Sequence, residues 1–450
     1  MNEATERDVY DVLTIGLGPA NLALAVALEE APAEQQQRRV FLEAKPSHAW
    51  HPGMMLEGSL LQISVIKDLA TVADPCSRFT FLNYLKEKGR LFEFLNLREL
   101  YPTREEFADY LAWAADKLGS RVCYGRRVTR IEPGTRGDDG VIETVIVEAE
   151  NLADGSVERF ETRNVVVATG GVPKGPENVV LEREGRELGL REMVGDRVLH
   201  SDKFLRDLER IPGPEAGESF LIVGAGQSAA ELFLYLLERY KRSRVTSTIR
   251  RFAYKPADGS DFTNSVFFPS WTDYYYDLAP ERRREFFDII KDVNYAVIDE
   301  PLIHRIYTEL YRQKVAGDVR GEIKPFMQLE KVEERNDKVV ATYHHLMHDH
   351  RVELEADRMI LCSGYDWPKK HPVLAPLSEH LRDGDGGGWR IGRDYRLDSD
   401  ETLAAGIYLQ GYCEDTHGIS ETVLSLIPIR AREILASIVA HRREPVLEMV

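Results

Sequence analysis

Two short glycine turns carry the strongest chemical signal in this chain: Gly16-Leu17-Gly18-Pro19-Ala20-Asn21 near the N-terminus and Gly224-Ala225-Gly226-Gln227-Ser228-Ala229 at mid-chain. Glycine lets a backbone approach a pyrophosphate, and a helix opening at the turn offers unbonded N–H groups and the positive end of its dipole. Glu43 lies 25 residues beyond Gly18, where an acidic side chain meets the ribose hydroxyls of a nucleotide on the first turn. One such turn is weak evidence. Two in one chain point to two dinucleotides held face to face, the arrangement in which a nicotinamide passes a hydride to a flavin. Leu61-Gln62-Ile63-Ser64-Val65-Ile66-Lys67-Asp68-Leu69 is an apolar run carrying Gln62 and Lys67. An isolated lysine there ordinarily snorkels to water, so its own residues leave Lys67 without an assigned role.

The elements that must hold these residues are legible from pattern. Each glycine turn follows a β-branched run (Val12-Leu13-Thr14-Ile15; Leu221-Ile222-Val223) and opens an apolar helical pattern, the start of a nucleotide-binding βαβ unit. Arg39 to Glu43 reads as the next strand, and Arg104 to Leu118 as an amphipathic helix stopped by Gly119. From 121 to 170 alternation takes over, with a polar hairpin tip at Gly134 to Gly140 and a buried strand leaving through Ala168-Thr169-Gly170-Gly171. Ile211-Pro212-Gly213-Pro214 marks a boundary before the second βαβ. From about Tyr254 to Arg320 the βα rhythm lapses into an aromatic-rich, mostly helical stretch (Phe262, Phe267, Trp271, Tyr274). Buried strands return at Arg358 to Cys362 and Gly406 to Gln410, before a last helix from about Leu424 to His441. The two βαβ units read as the only internal duplication.

With 450 residues the chain has room for two or three domains, and its formal charge of −17 disfavours nucleic acid or an anionic membrane as partner. No run approaches the length of a membrane span, and the acidic start Met1-Asn2-Glu3-Ala4-Thr5-Glu6 does not read as a signal peptide; a cytoplasmic protein is expected. Cys76, Cys123, Cys362 and Cys413 are widely spaced, with no Cys-x-x-Cys. That argues against a disulfide reductase, which also carries two nucleotide turns, and against a metal site.

Several stretches, in order and at these spacings, resemble the flavin-dependent N-hydroxylating monooxygenases that act on ornithine or lysine in siderophore pathways. They are Gly16-Leu17-Gly18-Pro19-Ala20-Asn21, Trp50-His51-x-Gly53-Met54, Leu61-Gln62-x-Ser64-x-x-Lys67-Asp68-Leu69, Gly226-Gln227-Ser228-Ala229-Ala230-Glu231, Asn294-Tyr295 and His417-Gly418-Ile419-Ser420-x-x-x-Leu424-Ser425. The likeness covers nearly the whole chain and is strongest to the ornithine branch, which ends in a similar Leu-Ser-x-x-Pro-x-Arg. It implies that NADPH reduces FAD, that reduced flavin captures O₂ as a C4a-hydroperoxide, and that the side-chain amine attacks the distal oxygen. It also implies a homotetramer.

Carried across by the resemblance, FAD would meet Gly16, Gly18, Pro19, Glu43, Lys45, Trp50, His51, Gln62, Val128, Thr422, Val423 and Leu424. NADPH would meet Gly224, Ala225, Gly226, Gln227, Ser228, Asn294, Tyr295, Ala296 and Tyr365, with Arg250 as the guanidinium for the 2′-phosphate. Lys67 and Asn264 would hold the substrate α-carboxylate, and Asn294 and Ser425 would lie near its α-amine. No acid or base is assigned. An amine of reference pKa about 10.4 is neutral in only about one molecule in 250 near pH 8, so an apolar pocket must favour the neutral form. Cys362-Ser363-Gly364-Tyr365 departs from the family's Ala-Thr-Gly-Tyr, Ser265 stands where an acid is commoner, and Ala296 where serine is; all three bear on which amine is taken.

The expected fold is α/β, with two Rossmann-like dinucleotide-binding domains for FAD and NADPH and a small, mostly helical substrate-binding unit. The FAD domain is expected over 1–205 and 355–450, the NADPH domain over 206–354, and the helical unit over about 254–325. L-lysine or a diamine is the nearest alternative substrate. A ketone or sulfide monooxygenase is more remote, because its signature is matched only loosely by Gly195, His200 and Phe204. A non-catalytic flavoprotein would not need the second turn and Arg250.

Overall fold

The computed structural model describes residues 9–441; the Met1–Glu6 segment discussed above lies outside them. The Val9–Ile15 strand is flanked by parallel neighbours Arg39–Glu43 and Val157–Val167, and Val122–Tyr124 extends the sheet beyond Arg39–Glu43. The long Val157–Val167 strand serves two partners on its other edge. Its first half pairs antiparallel with Val145–Asn151, and its second half pairs parallel with Gly406–Leu409 from the far end of the sequence. The C-terminal helix Ile427–Ala440 then packs on Pro19–Glu29, whose buried face is almost wholly Ala, Leu and Val.

The second sheet is all parallel, in the order Val198–His200, Arg358–Leu361, Ser219–Val223, Arg244–Thr248, Gly321–Lys324. Two of its inner strands are apolar through the middle, Met359-Ile360-Leu361 and Phe220-Leu221-Ile222, as a sheet covered on both faces requires. A third sheet carries the meander Met327–Arg335, Lys338–His345, His350–Ala356, joined at its edge by Val180–Arg183. This meander feeds the buried Arg358–Leu361 strand just as Arg126–Pro133 and Val145–Asn151 feed Val157–Val167. The duplication therefore extends beyond the βαβ units to the meanders, whose alternation is too common a pattern to announce a repeat.

Two boundaries move. Val198–His200 and Arg358–Leu361 belong to the second sheet, so breaks at 205/206 and 354/355 would cut through it. The chain crosses instead at the two glycine exits. There Val172–Pro173 pairs antiparallel with Tyr365–Asp366, and a Cβ on Gly171 would lie 2.9 Å from the Trp367 ring. The Pro-rich loop at 211–214 is merely a connection inside the second body. The helical unit also shortens. Glu300–Ala316 is the amphipathic crossover that packs on Gln227–Arg239 and leads into Gly321–Lys324, so only 254–299 stands apart. That segment carries Pro269–Asp277 and Pro280–Ile290, which lean across onto the short Glu414–His417 helix of the first body.

Candidate active site

Both glycine turns have the geometry an anion cradle needs. Gly16 has φ +82°, and a Cβ there would come 2.5 Å from the Ala168 carbonyl oxygen, so strand exit and turn touch backbone to backbone. Gly18 caps the Pro19–Glu29 helix with open space around it and no side chain bonding the first-turn N–H groups. Gly226 likewise caps Gln227–Arg239 without a side-chain bond, whereas Thr80 and Thr103 cap their helices by accepting from Asn83 and Glu106. Two helices of 11 and 13 residues thus present free donors at glycine turns, which suits two pyrophosphates.

Around the first turn, buried Glu43 accepts the N–H groups of Leu17 (2.8 Å) and Lys45 (2.9 Å), one on each oxygen. Each oxygen keeps a lone pair for a ribose hydroxyl. Lys45 reaches the Ala49 carbonyl, and Val128 sits half-buried where the Arg126–Pro133 pairing register shifts. Trp50 packs edge-on against Phe107, and His51 adopts φ 44° beside it. The protein walls around His51, helped by Arg104 and Lys45, lower its pKa to about 4 and keep the imidazole neutral. Tyr365 lies edge-on to both His51 and His200, at the crossing between the two bodies.

Asn21 stands where the usual fingerprint has its third glycine, and the structure supplies the reason. Its amide donates to the carbonyls of Ile15 (3.1 Å) and Gly16 (2.8 Å), and its oxygen accepts from Gln410 (2.9 Å). Gln410 accepts from Arg430 (3.1 Å), which is ion-paired to Glu421, and Glu421 takes the Gly411 N–H at 2.5 Å. All four side chains are buried. The network fastens the first glycine turn to the segment carrying Thr422, Val423, Leu424 and Ser425. Among the described residues no protein acceptor meets the N–H groups of Val423 and Leu424, which suits a polar ring edge of the flavin.

The 61–69 run forms no regular element; Asp68 pins it. Its carboxylate accepts from the N–H groups of Ala70 (2.9 Å), Thr71 (2.6 Å) and Phe81 (2.7 Å) and from the Thr71 hydroxyl (2.7 Å). Lys67 next door is half-buried with its ammonium 5.5 Å from the Phe267 ring centroid, and no carboxylate pairs with it among the described residues. Burial lowers its pKa. Phe267 belongs to an apolar cluster with Ile290, Ile419 and Tyr295, so the lysine faces the 254–299 unit.

At the second turn, Gly224 has φ +147° and packs against Cys362. Ala296, itself at φ 54°, puts its Cα 3.7 Å from a Cβ on Gly226, so the Asn294-Tyr295-Ala296 loop lies directly over the turn. Gln227 is committed elsewhere: its side chain accepts the Asp299 N–H (2.9 Å) and donates to Glu231 (2.9 Å). Only its backbone is left for a phosphate, alongside Ala225 and Ser228. Glu231 takes a bidentate pair from Arg104 (2.8 and 2.7 Å), and Asp299 accepts from Gln62; burial raises both carboxyl pKa values. Arg250 is exposed and forms no ion pair among the described residues, while Arg251 is tied to Asp292 and the Ala296 carbonyl. Asn264 bonds the Gly259 carbonyl (3.1 Å), Asn294 is exposed and Ser425 buried.

The sequence reading missed Arg104 and Asp299 as members of this site. Arg104 left one trace, a cation in the first turn of a helix, where the dipole disfavours it.

Fold and turns together define a two-dinucleotide-binding α/β protein. The family model for L-lysine 6-monooxygenase/L-ornithine 5-monooxygenase matches residues 8–367, and the chain belongs to that family. An L-ornithine N(5)-monooxygenase of Burkholderia cepacia is 40% identical over 413 residues, covering 91% of this chain and 90% of that protein. An ornithine N-hydroxylase of Kutzneria sp. 744, solved with reduced FAD, NADP⁺ and L-ornithine, superposes with TM-score 0.88 at 34% identity, covering 96% of this chain and 99% of that one. An L-lysine 6-monooxygenase of Pseudomonas syringae gives TM-score 0.83 at 30% identity, covering 96% and 100%.

Proposed function

We propose that this chain is an FAD- and NADPH-dependent monooxygenase that hydroxylates the side-chain amine of L-ornithine with O₂, for hydroxamate or siderophore synthesis. The observation that carries it is Lys67. An ammonium without a carboxylate partner, held half-buried against Phe267, is an uncompensated charge that an amino acid's α-carboxylate would satisfy. The ornithine enzymes among its relatives support the choice of amine. Bound FAD and NADPH would supply the oxygen activation and the reducing equivalents.

The chain's own residues do the rest. Gly18 and Gly226 seat the two pyrophosphates on helix N-termini, Glu43 takes a ribose, and exposed Arg250 takes the 2′-phosphate. Lys67 and Asn264 orient the substrate by its carboxylate, with Asn294 and Ser425 at its α-amine. The apolar cluster of Phe267, Ile290, Ile419 and Tyr295 excludes water beside them and favours the neutral, nucleophilic amine. A single-turnover rate that still climbed with pH up to about 10 would show that the amine keeps its solution pKa and would overturn this last point.

Among the described residues no helix is long and apolar enough to cross a membrane. The protein is proposed to be a cytoplasmic homotetramer. Exposed apolar side chains support self-association: Tyr307, Tyr311 and Val315 along one helix face, and Phe92, Leu95 and Leu97 on Leu91–Leu97. The deciding experiment is mass spectrometry of products formed with NADPH from ornithine, lysine, putrescine and cadaverine. One added oxygen on ornithine in preference to the others is expected. No oxygenated product from any amine, with flavin still reduced, would sink the reading. One methylene is worth only about 1–3 kcal/mol in a pocket, so the lysine comparison is the sensitive one.

A further inference from the structure

Glu414 is a carboxylate inside the cleft to which neither glycine turn nor substrate assigns a task. It opens the short Glu414–His417 helix just beyond the Gly406–Leu409 strand. Its Oε1 accepts the Tyr295 hydroxyl and the Thr422 hydroxyl (3.1 Å), and those two hydroxyl oxygens lie 3.3 Å apart. Among the described residues no cation pairs with it. Two charged groups facing it make its ionisation harder, Asp415 beside it and Glu421 on the following turn. Burial acts in the same direction, raising its pKa. Tyr275 on the Pro269–Asp277 helix stays a neutral phenol, its pKa pushed up to about 12, and Arg283 is turned to the Tyr275 and Tyr276 carbonyls. An uncompensated carboxylate in such a place costs stability, and here the two bonds of Glu414 join separate parts of the site.

Tyr295 lies between Asn294 and Ala296 in the loop over the Gly226 turn. Thr422 opens the segment whose Val423 and Leu424 N–H groups lack a protein acceptor. The two segments come from different bodies and share no sheet. We infer that Glu414 is a positioning residue that latches the Asn294-Tyr295-Ala296 loop to the Thr422-Val423-Leu424 segment. It thereby sets the spacing between the nicotinamide side and the flavin side of the cleft. The inference rests on the proposed function for what those segments face, but the latch itself is a property of this chain.

The test uses full-length protein carrying Glu414→Ala, Glu414→Gln, Tyr295→Phe or Tyr295→Phe with Glu414→Ala. Two readouts are taken: oxygenated ornithine formed per NADPH consumed, and hydrogen exchange of residues 293–299 with and without FAD. Glu414→Ala and Tyr295→Phe should each lower product per NADPH by about tenfold, the scale of one charge-assisted hydrogen bond, and speed exchange of the loop. The double variant should be no worse than the poorer single one, because both remove the same bond. Glu414→Gln keeps an acceptor oxygen and should restore most of both readouts. Wild-type exchange and coupling in Glu414→Ala would overturn the latch, as would additive losses in the double variant. So would a Glu414→Gln protein with an ordered loop and no product, which would make the carboxylate a proton acceptor instead. If wild type itself forms no oxygenated amine, the functional reading fails, and the exchange comparison still decides the latch.

Discussion

Lys67 and His417 show how much a single side chain's surroundings decide. The same lysine that composition treats as a solvent-seeking cation is held half-buried because Asp68 spends its carboxylate on three backbone N–H groups and a hydroxyl, fixing the loop and leaving the ammonium unpaired. Lys67→Ala should raise KM for the amino acid by at least about tenfold with KM for NADPH little changed; equal rises in steady-state assays would show that the residue serves the fold instead. His417 is buried, stacks on Tyr395 and donates from Nε2 to the Arg393 carbonyl (3.2 Å). Burial, with Arg393, Arg430 and Arg283 nearby, lowers its pKa from 6.5 to about 3. The folded chain then stays neutral there while the unfolded chain takes up a proton. Its contribution is whole above about 6.5 and is lost as pH falls toward 3. Urea unfolding of His417→Gln should therefore show a stability loss between about pH 7 and 4.5 that is smaller than wild type's by about 2 kcal/mol. An identical pH dependence would contradict the assignment.

At the scale of elements, the first βαβ is completed by a strand and helix from the other end of the sequence. Asn21 does what a third glycine cannot: it bonds the end of Val9–Ile15 and, through Gln410 and Arg430, the start of Ile427–Ala440. Asn21→Gly restores the commoner fingerprint yet strands the Gln410 amide and loosens the helix. It should cost about 2 kcal/mol in denaturant unfolding and weaken FAD retention on dialysis. A variant as stable as wild type would mean that water replaces the asparagine. The same scale explains the shifted boundaries. Periodicity identified the buried strand Arg358–Leu361, but strand partners at that distance in sequence are set by which edges are free, and the free edge belonged to Ser219–Val223.

Across the whole molecule, the two bodies are held by the paired crossing strands and by a polar clamp. Arg104 on the first body grips Glu231 on the second, Glu231 meets Gln227, and Gln227 and Gln62 meet Asp299. Both ends of the ion pair are largely removed from solvent. Arg104→Ala would leave Glu231 buried and unpaired and should destabilise the fold by about 3–5 kcal/mol, while Arg104→Met with Glu231→Leu should recover most of it. A double variant as unstable as the single would show that the clamp's worth lies in its hydrogen bonds to Gln227 and Asp299. In the sequence, Gln227 and Glu231 stood out only as parts of a motif beside a phosphate turn. Their side chains turn away from the turn to hold the bodies together.

The paired glycine turns, Glu43 and the strand-to-helix rhythm were determined by the sequence alone, because each rests on backbone geometry within one or two elements. So was the resemblance, which leads one to expect Lys67, Asn264, Asn294 and Ser425 in one pocket. Tertiary structure decided what no local pattern encodes. It showed that Ala296 sits over Gly226, that the 254–299 unit leans onto the opposite body, and that Glu414 joins Tyr295 to Thr422. Among those contacts the Glu414 bonds to Thr422 and Tyr295 span 8 and 119 positions of the chain. Most of them arise only once both sheets have formed and the two crossing segments have paired, since no short-range preference brings such side chains together.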